Sequence, residues 1–404
     1  MPGHAGTGGR DVIFAWEQCK LGDLADRVTT KNKGMVSELP LTISAQDGLI
    51  SQDEFFNKKV ASKDLSSYLL LHHGDFAYNK SYSNGYPFGT IKRLEKYPQG
   101  VVSSLYIAFK PNSSISSDFM AQYYESNNWH KEIYKCAAEG ARNHGLLNVP
   151  PSDFFATNLN IPITKSEQLK IGRLLNAVDQ TITLHEEKKH QLERLKSALL
   201  QKMFADKSGY PDIRFEGFSD EWEQCKAKEL FESKSKKDHS DLPVLSATQE
   251  NGIVFRNDLD IDIKFDTHAL SNYKVVSPGD YIISLRSFQG GFELSEKLGI
   301  ISPAYTVFAF NNQEEKRHNN TFWKYLFKRY DFIESLKRLT FGIRDGKAIS
   351  FTQFSTLKLS FPNFDEQNKI ATLLHELDRT ITLHDQKLNL LKLVKQSLLQ
   401  NMFI

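Results

Sequence analysis

The sequence predicts an α+β protein in which two mixed α/β lobes are separated by two long α-helices. We expect these helices to pack as an antiparallel coiled coil with pseudo-two-fold symmetry. Three observations lead to this prediction: the chain repeats itself, each copy ends in a long stretch without proline, and short β-rich runs precede each stretch. At 404 residues the chain is also long enough for two hydrophobic cores.

The repeat is clearest at the two ends of each copy. The matching segments at the ends are Glu167–Ile171 with Glu366–Ile370, Asp179–His185 with Asp378–His384, and Leu199–Phe204 with Leu398–Phe403. The openings match as well, since Trp16–Lys20 reappears as Trp222–Lys226. Self-similarity of this kind indicates two copies of one structural unit. A duplicated structural module without a binding function is the alternative interpretation of the repeat taken alone.

The end of each copy is predicted to be a helix. Pro162 and Pro362 precede the two stretches, and apolar residues then recur at steps of three and four, which places them on one helix face. In the first copy these residues are Ile171, Leu174, Leu175, Val178, Ile182, Leu192, Leu195, Leu199 and Met203. A helix of about 38 residues is about 57 Å long. Its apolar face needs a partner, and the other copy carries the matching stripe, so the pair would hold the lobes at a fixed distance.

The middle of each stripe turns polar, at His185–Lys188 and at His384–Lys387. We interpret these residues as a polar layer that fixes the register of the helices, or as a solvated stretch. A metal site formed by the two histidines is the less favoured alternative.

Composition and turn residues set the predicted boundaries. The predicted segments are a flexible leader or added remnant (1–15), a first lobe (16–164), a first long helix (165–204), a linker (205–221), a second lobe (222–364) and a second long helix (365–404). The sequence contains no run of 18 apolar residues, so no membrane span is predicted, and its start lacks the apolar core of a secretory signal. Cys19, Cys136 and Cys225 are scattered without metal-ligand spacing, which predicts reduced thiols and a cytoplasmic protein.

The segment before the second lobe carries a family resemblance. Arg214–Trp222, which ends where Trp-Glu-x-x-Lys opens the lobe, resembles the lobe starts of Type I restriction-modification specificity subunits. The two repeated tails look like the helical regions of that family. Gly140–Arg142 and Gly342–Arg344, each followed by Phe and a proline, are typical of the end of its target-recognition domains. The first lobe departs from the pattern, because it lacks the full Arg-Phe-x-Gly-Phe lead-in.

The resemblance implies a function without chemistry of its own. Each lobe would read one half of a bipartite double-stranded DNA target, and the helices would set the spacer and dock two modification subunits. Those partners would carry S-adenosylmethionine and methylate adenine, and restriction or motor subunits that use ATP and Mg²⁺ would join them. No cofactor is expected on this chain itself. A net charge of +2 is low for a protein that holds DNA alone, so partners or clustered basic residues must supply the positive charge.

Polar loops with glycine and with Lys, Arg, Gln or Asn are the natural candidates for DNA contacts. The predicted DNA-binding residues are Lys31, Lys33, Gln46, Lys80, Ser81, Tyr82, Asn84 and Arg142 in the first lobe, and Lys236, Lys237, Gln249, Arg286, Ser287, Gln289, Arg344 and Lys347 in the second. Lys80 and Arg286 are preferred because both follow a repeated Gly-Asp-aromatic strand. Arg142 and Arg344 share a repeat position, which indicates a phosphate contact or a structural salt bridge. Solvation alone is the alternative for every one of these residues.

No catalytic motif accompanies these candidates. Gly342–Ala348 has the wrong spacing for a phosphate-binding loop, and Asn148–Pro151 does not match the Pro-Pro-aromatic pattern of adenine methyltransferases. Two alternatives stay open: a nuclease with duplicated lobes, drawing on the dispersed Asp280, Glu293 and Lys297, and a coiled-coil scaffold that does not bind DNA. Cutting of DNA with Mg²⁺ and no partner would support the first. Unchanged methylation in Lys80→Ala and Arg286→Ala variants would support the second.

Overall fold

The chain divides into two compact units. The computed structural model describes residues 16–58, 60–81, 85–137, 142–143, 146–206, 208–248, 251–259, 267–284, 291–339 and 349–403, with the backbone alone at 142–143, 146 and 267–269. The first unit takes the chain up to His185 together with the residues from Lys387 onward, and the second unit is Glu186–Gln386. Each long helix therefore contributes one part to its own unit and its end to the other unit.

The first lobe is built from short strands and helices. Its strands are β1 (Trp16–Lys20), β2 (Ala25–Arg27), β3 (Leu41–Ser44), β4 (Gly48–Ser51), β5 (Leu69–His72), β6 (Phe76–Asn79), β7 (Thr90–Arg93), β8 (Gln99–Val102), β9 (Ile107–Pro111), β10 (Arg142–Asn143), β11 (Leu146–Leu147) and β12 (Asn158–Pro162). Its helices are α1 (Leu21–Leu24), α2 (Gln52–Phe56), α3 (Ser117–Glu125), α4 (His130–Cys136) and α5 (Pro151–Phe155), and the first long helix α6 (Lys165–Lys202) follows.

The second lobe repeats this order. Its strands are β13 (Glu223–Lys226), β14 (Phe231–Lys234), β15 (Leu245–Thr248), β16 (Gly252–Phe255), β17 (Lys274–Val276), β18 (Tyr281–Ile283), β19 (Glu293–Leu294), β20 (Gly299–Ile301), β21 (Thr306–Phe310) and β22 (Lys358–Phe361). Its helices are α7 (Ala227–Leu230), α8 (Asn320–Leu326), α9 (Tyr330–Leu339) and α10 (Phe351–Phe354), followed by the second long helix α11 (Phe364–Met402); short 3-10 turns lie at Arg256–Asp258, Thr267–Asn272 and Glu315–Arg317.

An antiparallel sheet of order β2-β9-β6-β7 forms the centre of the first lobe. Because successive side chains of a strand point to opposite faces, Phe76 and Tyr78 belong to one hydrophobic cluster and Ala77 to another. The equivalent sheet of the second lobe is β14-β21-β18-β19. Pairing of Tyr281 with Phe308 reproduces the pairing of Phe76 with Phe109, so the register of the two sheets is the same.

The repeated Trp-Glu-Gln-Cys-Lys opening is a strand that joins the two ends of its lobe. In the first lobe β1 pairs antiparallel with β12, and in the second lobe β13 pairs with β22. The ring of Trp16 lies 6.4 Å from the ring of Phe403, the last phenylalanine of α11's repeated tail. In the second unit Trp222 lies 6.1 Å from Phe204, the equivalent phenylalanine after α6. Each opening tryptophan therefore packs against the tail of the other long helix.

The two long helices run antiparallel, as the sequence predicts. In the second unit, Lys189 bonds Asp385 at 2.5 Å and Lys196 bonds Asp378. Moving forward along α6 thus means moving backward along α11. In the first unit, Lys395 of α11 pairs with Asp179 of α6 at 2.6 Å. This pair is the repeat equivalent of Lys196 with Asp378, with the lysine now on α11 and the aspartate on α6. The α+β class and the antiparallel pairing are confirmed.

The apolar stripe of α6 is narrower than the sequence predicts. Ile171, Leu175 and Ile182 are buried, but Leu174 and Leu195 are each 47% exposed. The helix buries one side against its own lobe and its partner helix. On the side that faces the partner helix, the polar residues Lys189 and Lys196 form ion pairs with aspartates of α11. Among the described residues, no helix is long and apolar enough to cross a membrane.

Candidate nucleic-acid interface

The loop after β2 holds the predicted residues Lys31 and Lys33. Asn32 between them is fully buried, and its amide donates a hydrogen bond to the Ser37 carbonyl at 2.8 Å. The backbone of Lys31 forms a bridge with β5, and its ammonium group donates to the carbonyl of Ser67 at 2.8 Å. Both lysines are exposed. The buried asparagine therefore fixes a loop that presents two cations to solvent.

The second lobe places Lys236 and Lys237 in the same loop. In the first lobe the carbonyl of Thr30 accepts a hydrogen bond from the N–H of Leu70 at 3.0 Å. In the second lobe the carbonyl of Lys236 accepts the equivalent bond from the N–H of Val275 at 2.8 Å. These contacts put Lys237 at the backbone position of Lys31. Both lysines of the second loop are exposed. The two lobes thus present a lysine at one equivalent position although their loop sequences differ.

Gln46 lies in the turn between β3 and β4. The hydroxyl of Ser44 donates to the Asp47 carboxylate at 2.8 Å, and Gly48 adopts a left-handed φ of 78°, which closes the turn. The side chain of Gln46 is exposed at this hairpin. The position is open to a ligand.

Lys80 and Ser81 directly follow β6. The side chain of Lys80 is half-buried, and its ammonium group donates a hydrogen bond to the carbonyl of Val149 at 3.3 Å. The backbone carbonyl of Lys80 accepts a hydrogen bond from the N–H of Leu147 at 3.0 Å. Burial lowers the pKa of the Lys80 ammonium group. Since Leu147 pairs with Arg142, the loop after β6 and the β10–β11 hairpin lie together. These contacts give Lys80 a structural role in addition to the predicted contact with DNA.

Several predicted residues lie outside the described part of the chain. They are Tyr82, Asn84, Gln249, Arg286, Ser287, Gln289, Arg344 and Lys347, and Arg142 is described by its backbone alone. Among the candidates that the structure describes, Lys31 bonds the carbonyl of Ser67 just before β5, and Lys80 bonds the carbonyl of Val149 just after β11.

A cavity of about 270 Å³ in the first unit was not predicted from the sequence. Asp75 lines this cavity, and its carboxylate accepts a hydrogen bond from the backbone N–H of His72 at 2.8 Å. Burial raises the pKa of this carboxyl group. The signal for it was present in the sequence, since Gly74–Phe76 and Gly279–Tyr281 match in the repeat.

The equivalent carboxylate of the second unit is paired. Asp280 accepts a hydrogen bond from the backbone N–H of Ser277 at 2.8 Å, and the Lys234 ammonium group donates to it at 2.7 Å. In the part of the chain that the structure describes, no group of three or more His, Cys, Asp and Glu residues could hold a metal ion.

Comparison with known proteins assigns the class of the second half. Residues 219–393 match the family model of the Type I restriction modification DNA specificity domain. An S subunit of a Type I restriction-modification system from M. genitalium resembles this chain with a TM-score of 0.56 at 14% identity, covering 98% of both chains.

Two further structures give lower scores. The HsdS subunit from Thermoanaerobacter tengcongensis has 16% identity over 96% of both chains and a TM-score of 0.44. A chain from a structure of complex assembly and conformational transition in the type I R-M system has 15% identity, a TM-score of 0.48, and covers 95% of this chain and 96% of its own.

The second half is therefore similar to a DNA specificity domain of the Type I restriction-modification class. The first half repeats the elements and the sheet register of the second half, so both lobes share one fold. The comparisons support neither a nuclease with duplicated lobes nor a scaffold without a DNA role.

Proposed function

We propose that this chain is the specificity subunit of a Type I restriction-modification system, in which each lobe reads one half of a bipartite DNA target. The observation that carries this proposal is the equivalence of Lys31 and Lys237: two lobes of one architecture present a cation at one backbone position on loops of different sequence. A shared cation suits the phosphate backbone, which is the same at both half-sites. Different loops around it suit two different half-sites.

The long helices would set the spacer and dock two modification subunits. Their ion pairs fix one antiparallel register, which gives the spacer a defined length. On the first unit's part of this pair, Leu184, Leu390 and Leu393 are exposed, and such leucines can be covered by a partner. The modification subunits would bring S-adenosylmethionine and methylate adenine, and restriction or motor subunits would bring ATP and Mg²⁺.

In this proposal the chain binds DNA and partners and catalyses no reaction itself. It acts in the cytoplasm, where its three cysteines stay reduced. Specificity then depends on the lobes alone, and activity depends on the subunits that the helices hold.

Exchange of one lobe tests the proposal. Residues 16–162 would be replaced by the equivalent lobe of a specificity subunit with a different methylated motif, in cells that supply the modification subunits. Mapping of methylated adenines should reveal a change in one half of the motif, with the other half and the spacer unchanged. The matched control is replacement of residues 222–361, which should change the opposite half. A motif that stays the same after both exchanges, or that changes in both halves after one, would contradict the proposal.

A further inference from the structure

Asp75 and Asp280 occupy one position in the repeated fold. Each directly precedes the second inner strand of its sheet, and each accepts at Oδ2 a backbone hydrogen bond of 2.8 Å from the residue three places earlier. Their side chains are almost equally buried, at 5% and 3% exposure. The fold therefore builds the same buried carboxylate twice.

The two carboxylates differ in their second oxygen. In the second unit, Lys234 donates to Oδ1 of Asp280 at 2.7 Å. The residue in register with Lys234 in the first unit is Val28, because Val28 bonds the carbonyl of Ala108 in β9 just as Lys234 pairs with Val307 in β21. Valine has no donor. Among the described residues, no hydrogen bond reaches Oδ1 of Asp75.

A cavity of about 270 Å³ takes the place of the missing lysine. The residues that line it are Asp26, Arg27, Val28, Thr29, Thr30, Leu70, His72, Asp75 and Lys110. Asp75 lines this cavity and, within the described part of the chain, its Oδ1 atom keeps a free acceptor position, so a ligand that brings an N–H group can bond to it there. The second unit supplies that group from within, and the first unit leaves room for it to come from outside.

The mouth of the cavity suits an anion. Arg27 and Lys110 are both exposed at its edge, and the charge of Lys110 acts on Asp75. Asp26, the strand partner of Lys110, borders the cavity and offsets part of this charge, and Nδ1 of His72 lies 3.8 Å from the Asp75 carboxylate. A nucleotide combines the two features, with an amino group on its base and a negative phosphate. The lining also runs directly into the loop of Lys31.

We propose that the Asp75 cavity is a base-reading site of the first lobe, in which the carboxylate accepts a hydrogen bond from the exocyclic amino group of a cytosine or an adenine. Arg27 and Lys110 contact the neighbouring phosphate. Carboxylates accept hydrogen bonds from such amino groups in known protein–DNA complexes. This inference rests on the proposed function, since it assigns one base of the half-site that the first lobe reads.

Competition binding with modified DNA tests it. The chain assembled with its modification subunits would bind duplexes in which each cytosine or adenine of the methylated motif is replaced, one at a time, by an analogue without the amino group. At one position of the first lobe's half-site the natural chain should lose about five- to a hundredfold in affinity. In the Asp75→Asn variant the amide oxygen would keep the bond from the His72 N–H, so that the NH2 group takes the place of Oδ1. This variant should no longer distinguish the analogue from the natural base at that position.

A second variant keeps the carboxylate and fills the cavity. Val28→Lys restores in the first unit the lysine that the second unit holds in the same register, so it should fold and should also lose the discrimination. Val28→Ala, which brings no donor and leaves the cavity open, should bind like the natural chain. Circular dichroism would check that each variant is folded.

The outcomes separate the inference from the function on which it rests. If Asp75→Asn and Val28→Lys keep the natural preferences at every position, the base-reading site is wrong while motif-dependent binding still supports the proposed function. If these variants lose their modification subunits instead, the occupant is a protein group and the inference fails. If the natural complex itself binds DNA without motif dependence, the proposed function fails first.

Discussion

The ion pair between Arg214 and Glu366 should be essential for the stability of the second unit. Both nitrogens of the guanidinium edge bond the carboxylate at 2.8 Å, and the Glu366 side chain is 1% exposed in the first turn of α11. Arg214→Ala would remove the partner and leave a buried carboxylate without a compensating charge. Breaking a buried pair in this way costs about 3 to 5 kcal/mol.

The helix N-terminus offsets a small part of this loss. A carboxylate in the first turn of a helix gains about 0.3 to 1 kcal/mol from the helix dipole, so we expect a loss near the lower end, about 3 kcal/mol. For a unit of roughly 200 residues, each kcal/mol lowers the melting temperature by about 2 to 4 °C. The expected shift for Arg214→Ala is therefore about 6 to 12 °C.

Urea and thermal unfolding, followed by circular dichroism and tryptophan fluorescence, would measure the change. Trp222 and Trp323 are buried in the second unit and report on it. The matched control is Lys96→Ala, which breaks the pair with Glu54 in which both side chains are 57% exposed, and should leave the curve unchanged. If Arg214→Ala moves the transition no further than this control, the reasoning is refuted. The double variant Arg214→Met with Glu366→Met should recover much of the loss.

Two further predictions concern the helix contact and the DNA loop. Gly172→Ala should destabilise the first unit by about 1 to 3 kcal/mol, because a Cβ atom there would lie 2.8 Å from the backbone nitrogen of Phe119; an unchanged or higher melting temperature would contradict this. Lys237→Ala should weaken DNA binding by the assembled complex and lower the slope of log affinity against log salt by about one. Lys226→Ala, an exposed lysine at the end of β13, is its control, and equal salt slopes for the two variants would contradict a phosphate contact at Lys237.

The architecture was predictable because the sequence contains two copies of one structural unit. Repeated residues with helical spacing predict the long helices, and the structure places α6 and α11 where the two tails recur. Some residues are identical in the two copies although the sequence alone does not explain their role. Gln168 and Gln367 are buried at the helix starts and donate to Pro162 and Pro362, so the repeated glutamine ties each helix to the strand before it.

Other features needed three-dimensional contacts. The run Val101–Phe109 reads as one strand, but a turn closed by Tyr106 and Ser103 at 3.0 Å divides it between two sheets. Exposure of Leu174 follows from the lobe that packs on only one side of the helix. The lead-in beginning at Arg214 is recognisable as a pattern, yet its ion pair spans 152 residues of sequence and no local rule predicts it.

The candidate site was predictable in type and only partly in position. Polar composition selected the loop of Lys31 and its counterpart at Lys237, but the buried Asn32 that shapes the first loop has no signature of its own. Asp75 lacks a lysine partner because a valine stands where the other lobe has a lysine. Such a difference becomes visible only after the sheet registers of the two lobes have been superposed.

The pairing of β1 with β12, and of β13 with β22, brings the two ends of each lobe together. Because the strand that enters the lobe lies beside the strand that leaves it, the two ends of the lobe meet just before the long helix that follows. Genetic crossovers in the repeated flanks would then deliver a new recognition half in a single event. Under the proposed function, such an exchange would change one half of the DNA target and leave the other lobe and the long helices unchanged.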